Sequence, residues 1–386
     1  MEIHHPQNVA ELCDIIAAAP QPLSVLGGGT RPIGQSSARC GLSTDLMSGI
    51  VTYEPGAMTL VAKSGTSVAE IEAALDLENQ CLAFEPMDHR DLLGTQGIPT
   101  LGGIIAANVS GPRRIQVGAA RDFTLGVSFV DGAGQLLKNG GRVMKNVTGY
   151  DLVKLLVGSW GTLGVLTEVS LKVLPKAETE STLRIATQGW EKAVECMSAV
   201  LRTPYDVSGV GTVLNVNGGK DVMIRIEGFV ASVRYRVSQL TQRLVNFGDI
   251  TEIESPWHEM RNLTAWKSMD TVWRVSLRPT NSLKLLKVLE ASDIKLQYQM
   301  DWGGGLIWLG LDDENKQRAE NTATLHAIIQ EQLTALGGHA TLMKSASLTD
   351  MLVPSFQPQT PTLNKLMVDL RHKFDPRGIL NPGRMY

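Results

Sequence analysis

Apolar and polar positions along the chain change rhythm several times, and each change marks an element. Asn8 followed by Glu11 reads as a helix N-terminus, and the helix it opens runs to about residue 19, where Pro20 and Pro22 end it. Residues 23–26 form a short apolar run of strand character that leads straight into three glycines, and 42–46 and 59–62 are further strand candidates. Ser67 and Glu70 make a capping box ahead of Val68, Ile71, Ala74 and Leu75, whose three-to-four spacing predicts an amphipathic helix. The first third of the chain therefore alternates helices and strands. Residues 123–130 and 164–174 alternate or run apolar as buried strands do, with Asp131-Gly132 as turn chemistry after the first and a helical stretch, 150–157, between them.

Pro175 and the polar stretch 176–181 are the sharpest shift in composition, and a domain boundary is expected there. Beyond it, 222–226, 271–277 and 306–311 read as strands and 233–245, 283–291 and 319–336 as helices, an α+β arrangement in which no internal repeat is visible. A last helix, 362–374, leads into a tail, 375–384, holding Pro376, Gly378, Pro382 and Gly383, which predicts a rigid extended segment. The expected division is 1–175, 176–360, and a C-terminal helix and tail at 361–386 that returns toward the first domain.

A length of 386 residues agrees with two or three domains at about 150 residues each. With 36 basic and 39 acidic residues the chain lacks the cationic surplus that binding to a phosphate backbone needs, so nucleic acid is excluded as a partner. Cys13, Cys40, Cys81 and Cys196 form no CxxC and none of the spacings of a zinc site. Glu2, Glu11 and Asp14 precede any Lys or Arg, the wrong charge pattern for a secretory leader, which implies a cytoplasmic location. Residues 92–112 carry no charge, yet Gln96, Asn108, two prolines and five glycines make them a ligand loop rather than a transmembrane segment.

Glycine supplies the chemistry. Fifteen of the 38 glycines lie between Gly94 and Gly164, so the backbone there must turn sharply or approach something closely. Ahead of them, Gly27-Gly28-Gly29-Thr30-Arg31 follows an apolar strand. Without side chains, successive N–H groups can converge on phosphate oxygens, with Thr30 and Arg31 as added donors; a tight turn is the alternative. Pro32 breaks any GxGxxG pattern, and GxxxxGK[ST] is absent, which disfavours a Rossmann NAD site and a P-loop. A second element runs from Pro99 through Gly102, Gly103 and Asn108 to Gly118, with Arg113, Arg114 and Arg121 offering positive charge. A third comprises residues 145–152 and 158–166.

In this order and at these spacings, the three elements resemble the FAD-binding domain of the vanillyl-alcohol oxidase, or PCMH, type over about residues 1–175. Within that superfamily the chain is most similar to the FAD-binding subunits of bacterial glycolate oxidase, the GlcE type. Carrying that likeness are LGGGTRP, TLGGIIAANVSGPRRIQVGAARDFTLGV, KNVTGYDLVKLLVGSWGTLGV, Asp301-Trp302-Gly303-Gly304-Gly305-Leu306 and the terminal FDPRGILNPGR. The resemblance implies an α+β protein: a PCMH-type FAD-binding domain of two subdomains followed by an α+β cap. It implies that Gly27, Gly28, Gly29, Thr30 and Arg31 wrap the FAD pyrophosphate. Thr100, Leu101, Gly102, Gly103, Ala107, Ser110 and Gly111 would line the rest of the phosphate and ribityl path, and Gly118, Gly161, Val165 and Leu166 would face the adenosine or isoalloxazine. Some members tether FAD through a histidine near the first loop; that loop has none here, so non-covalent FAD is expected.

Related catalytic subunits carry a GDGNxH-like stretch whose histidine works with a second histidine and a carboxylate around a divalent metal. No such stretch exists here. His4, His5, His89, His258, His326, His339 and His372 include no HxH or HExxH, and each reads as a surface or satisfied core residue. No metal site follows. The resemblance then implies an FAD-carrying subunit of a glycolate oxidase or dehydrogenase complex, acting as flavin electron carrier beside a catalytic flavoprotein subunit and an iron-sulfur subunit, cytoplasmic and held at the inner membrane surface by those partners. A self-contained FAD-dependent 2-hydroxy-acid dehydrogenase and a non-catalytic scaffold with structural FAD remain open. So do two side chains: Arg274 is either a carboxylate ligand or a surface or ion-pairing arginine, and Trp302 either covers a flavin face or is packed core.

Overall fold

The computed structural model describes residues 2–34, 36–142, 149–214, 220–292, 294–312, 318–345 and 353–385. Residues 145–148 of the third glycine element lie outside these. The first capped helix is Val9–Ala18, with the Asn8 side chain accepting from the Glu11 N–H, and the second is Val68–Asp76, with Ser67 accepting from the Glu70 N–H. Each places two buried side chains on one face, Leu12 and Ile16 in the first and Ile71 and Leu75 in the second, and so docks on a sheet.

Two sheets build the first half. Glu2–His4, Cys40–Ser43 and Leu23–Leu26 form a small parallel sheet with Cys40–Ser43 in the middle. The expected strand at 42–46 thus sits a few residues earlier. A five-stranded antiparallel sheet runs in the order Ile50–Glu54, Thr59–Lys63, Val165–Lys172, Thr124–Val130, Leu136–Gly140. Within the uncharged stretch 92–112, a six-residue helix, Leu101–Ala106, starts at Thr100, whose hydroxyl accepts from the Gly103 N–H at 3.4 Å.

The second half holds a repeat that residue patterns do not reveal. Strand Thr179–Thr187, helix Gly189–Leu201, strands Val207–Leu214 and Lys220–Gly228, helix Val230–Leu244 and strand Asp249–Ile253 make a βαββαβ unit. Strand Thr271–Leu277, helix Ser282–Glu290, strands Gln297–Asp301 and Leu306–Leu311, helix Arg318–Leu336 and strand Gly338–Lys344 make another. Each sheet has the same order, second, third, first and fourth strand, all antiparallel. The expectation of no repeat is therefore corrected. The two units share a topology that requires only alternating apolar faces, not shared residues. Their edges meet where the Met300 N–H donates to Thr212 Oγ1 at 3.0 Å.

Alternation along Thr271–Leu277 settles what faces what. Trp273, Val275 and Leu277 pack with Leu285, Leu289, Leu325 and Ile329 of the helices. Val272, Leu306, Trp308 and Met343 on the opposite face share a core with Phe84, Ile104 and Ile105 of the first half. Arg274 and Ser276 belong to that second face. The helix Pro361–Phe374 then brings the tail back: Leu380 bridges to Leu23 in parallel, the Leu23 N–H donates to Ile379 O at 2.7 Å, and Asp375 accepts from the N–H groups of Ile379 and Leu380.

Candidate functional site

A cleft of about 740 Å³, partly open to solvent, lies where the parallel sheet, the helix Leu101–Ala106 and the turn before Val165–Lys172 converge. Gly27, Gly28, Gly29, Thr30, Arg31, Thr100, Gly102, Gly103, Ala107, Gly161, Val165 and Leu166 all line it. Four other residues expected at the cofactor take different places. Leu101 is fully buried in the core, Ser110 uses its hydroxyl to accept from the Ala120 N–H, and Gly111 packs on Glu85 with its carbonyl accepting from Trp302 Nε1 at 3.0 Å. Gly118 supplies a positive-φ turn against Asp122, whose carboxylate accepts from the Ala119 N–H.

The glycines of the first loop serve packing as much as access. A Cβ on Gly28 would lie 1.7 Å from the Ile98 carbonyl oxygen, and one on Gly97 would lie 1.6 Å from that of Gly28, so two backbones touch there. Gly27 abuts the Thr100 hydroxyl. Gly29 alone of the three faces open space, and it holds φ at +70°. A Cβ on Gly103 would meet Arg31 Nη2 at 2.8 Å, which places that guanidinium against the first turn of the helix.

The electrostatics single out Arg31. Its Nη1 is sealed from solvent without a hydrogen-bond partner, and burial holds the guanidinium down to about 10. No Asp, Glu, His or Cys lines the cleft among the described residues. A second cation, Arg384 of the tail, is buried at the same cleft, where burial lowers its pKa and its side chain donates from Nε to Gly34 O at 3.3 Å. Two cations with no acid among the described lining residues, beside free backbone donors, suit a diphosphate, and the small walls at Ala106, Ala107 and Gly161 suit a flat group laid against backbone. The residues present thus fit FAD. Arg384 was not legible as a site residue, because only the docking of the tail brings it there.

At the seam between the two halves, Glu85 accepts from both Nη atoms of Arg225 at 2.8 and 2.9 Å and from the Arg113 N–H at 2.9 Å. Glu227 completes the cluster at 3.3 Å from Arg225 and 3.4 Å from Arg113. Arg113 is therefore tied up, and Arg121 is exposed. Further along the seam, Arg114 and Arg274 both stand over the Trp302 ring, at 4.5 and 5.0 Å from its centroid. Trp302 is buried and Arg274 is half-buried, so Arg274 is neither a surface residue nor ion-paired among the described residues. Asp301, buried beside them, accepts from the Trp302 N–H at 2.7 Å, and burial pushes its carboxyl up to about 7. The described residues contain no group of three or more His, Cys, Asp or Glu placed to hold a metal, and no helix long and apolar enough to cross a membrane.

Residues 1–140 match the FAD-binding domain family. Over its whole length the chain is 32% identical to glycolate oxidase subunit GlcE of Escherichia coli strain K12, covering 98% of that protein, and 99% of it aligns at 25% identity with 88% of glycolate oxidase subunit GlcD of Bacillus subtilis strain 168. A solved structure of alkyldihydroxyacetonephosphate synthase superposes on 98% of the chain with a TM-score of 0.69 at 15% identity, covering 76% of that structure, which shows the shared PCMH-type fold. An FAD-binding fold, a cleft whose charges call for a diphosphate, and a full-length match at that identity meet in one conclusion: the chain belongs to the GlcE family of FAD-dependent oxidoreductase subunits.

Proposed function

We propose that this chain is the FAD-carrying subunit of a complex that oxidises glycolate, a 2-hydroxy acid, to glyoxylate, its flavin serving as electron carrier. Residues 1–175 hold the cofactor, 176–360 form the cap, and 361–386 return to the first domain. The observation that carries the reading is the acid-free cleft with Arg31 unpaired in its wall. The chemistry that FAD supplies when bound is acceptance of a hydride and onward release of electrons. In the chain itself, Arg31 and the loop N–H groups would bind and orient the diphosphate, and the wall from Ala106 to Ala107 would exclude water from the flat ring. No histidine or cysteine of the cleft could form a covalent tether, which supports non-covalent FAD.

Electron carriage rather than stand-alone oxidation is supported by the lack of any GDGNxH-like stretch. Oxidising a hydroxyl carbon needs a base for the hydroxyl proton, and among the described residues the cleft lining offers none. A catalytic flavoprotein subunit and an iron-sulfur subunit would complete the complex, held in the cytoplasm at the membrane surface. Four scattered cysteines cannot themselves hold iron-sulfur clusters.

The test is to purify the chain alone and with its co-expressed partners, precipitate a portion with acid, and add glycolate anaerobically to the rest. The colour should appear in the supernatant, and glycolate should bleach the assembled complex quickly and the isolated chain hardly at all. Flavin left in the pellet would refute non-covalent binding. Rapid bleaching of the chain by itself would replace the carrier role with a self-contained dehydrogenase.

A further inference from the structure

Trp302 collects two guanidiniums from different parts of the chain. Arg114 comes from the short helix Arg114–Val117 of the first half, and Arg274 from the strand Thr271–Leu277 of the second. Neither has a hydrogen bond or an ion pair among the described residues, although charged side chains in a seam are normally paired. By contrast, Arg225 and Arg113 in the same seam are neutralised by Glu85 and Glu227. Two acids stand within electrostatic reach of the pair, and both are already engaged. Asp122 accepts from the Ala119 N–H, and Asp301 accepts from the Trp302 N–H with its carboxyl raised toward neutrality by burial.

Arg114 and Arg274 lie deep in the seam, yet both side chains are only half-buried, and none of their nitrogens is among the sealed, unpartnered atoms. Water therefore reaches guanidiniums that protein surrounds. The exposed His339 lies within electrostatic reach of both arginines, on the neighbouring strand, where it pairs with Ser276. At the other end, the buried His89 feels both Arg31 and Arg274, which links the pair electrostatically to the phosphate cleft.

We propose that Arg114 and Arg274, held over Trp302, bind the carboxylate of a small 2-hydroxy acid or of the 2-oxo acid formed from it, so that this chain engages substrate or product directly and across its two halves. Two forked cations brought from separate elements onto one indole ring offer paired donors to a planar carboxylate. The proposal rests on the 2-hydroxy-acid reading above for the class of acid, and on the geometry alone for the carboxylate.

Calorimetric titration of the FAD-loaded full chain with glycolate, glyoxylate and the uncharged glycolamide tests it, with quenching of tryptophan fluorescence as a second readout. Glycolate and glyoxylate should bind saturably and glycolamide should not. Arg274→Met and Arg114→Met should each weaken glycolate at least about tenfold with FAD content unchanged, and Arg274→Lys should recover part of the loss. Should a methionine variant not fold, Arg274→Lys and Arg114→Gln read the same contrast. Equal binding of glycolamide, unaltered affinity in the arginine variants, or no saturable glycolate binding by the yellow wild-type chain would overturn the clamp while leaving the cofactor reading intact. Glycolate binding by a chain that holds no FAD would do the reverse.

Discussion

A guanidinium nitrogen sealed from water without a hydrogen-bond partner costs the folded protein stability unless a ligand answers it, and Arg31 Nη1 is placed that way. Replacing it with Gln should weaken FAD about 10- to 100-fold, the loss expected of a charge-assisted contact worth ~1.5–3 kcal/mol. The apoprotein should melt no lower, because a burden on the fold has been removed. A flavin titration and thermal melts of both forms check this, and an apoprotein that melts earlier with unchanged FAD affinity would show that Arg31 is structural. The glycines divide by a similar argument. Gly103→Val should displace Arg31 and lose FAD while the fold survives, whereas Gly28→Val forces the loop away from Ile98 and should lower the melting temperature as well. Equal melting of the two variants would contradict the backbone contact seen at Gly28. A glycine string announces close approach but does not say to what: Gly28 lines the cleft and at the same time packs its Cα against the Ile98 backbone. Twelve of the sixteen residues named from the resemblance line the cleft, while Leu101, Ser110, Gly111 and Gly118 have partners fixed by packing that no motif encodes.

At the scale of elements, the tail closes the cleft from behind. Asn381 is fully buried, its Oδ1 accepts from the Val25 N–H and its Nδ2 donates to the Trp160 carbonyl, both at 2.8 Å, and Val25 and Trp160 both line the cleft. Asn381→Ala would leave a buried donor and acceptor unmet and should cost roughly 2–4 kcal/mol by denaturant unfolding, together with part of the FAD. Since φ at Asn381 is +47°, Asn381→Gly removes the same bonds without the backbone strain and separates the two contributions. If the alanine variant unfolds like wild type and keeps its flavin, the tail is an accessory. Strands 271–277 and 306–311 were legible to the residue because each is flanked on both sides and therefore strongly apolar. By contrast, Gln297–Asp301 and Asp249–Ile253 are edge strands whose polar positions hide the alternation. The polar stretch at 176–181 conceals the start of Thr179–Thr187, an inner strand that alternates buried and half-exposed positions.

Across the whole molecule, the two halves meet on a seam rich in charge, where the Glu85–Arg225 pair pins one to the other and Asp301 sits fully enclosed among the groups it senses. Burial raises the Asp301 carboxyl to about 7, against the pull of Arg225 and Arg274 and with a smaller push from Glu85. Because the folded state holds this proton more tightly than the unfolded chain, the associated stability is fully present below about pH 4, the ordinary carboxylate range. It is lost as pH rises through about 7, and above that the loss levels off. A displacement of about three pH units corresponds to ~4 kcal/mol at ~1.36 kcal/mol per unit. Asn in this position keeps an oxygen to accept from the Trp302 N–H but has no proton to lose. Asp301→Asn should therefore match wild type near pH 4 and exceed it progressively up to pH 8, with the difference measured by urea unfolding across that range. A difference that stays flat with pH would mean that Asp301 ionises freely, through water entering the seam or through a closer approach to Arg274. In that case the carboxylate would itself neutralise one member of the arginine pair.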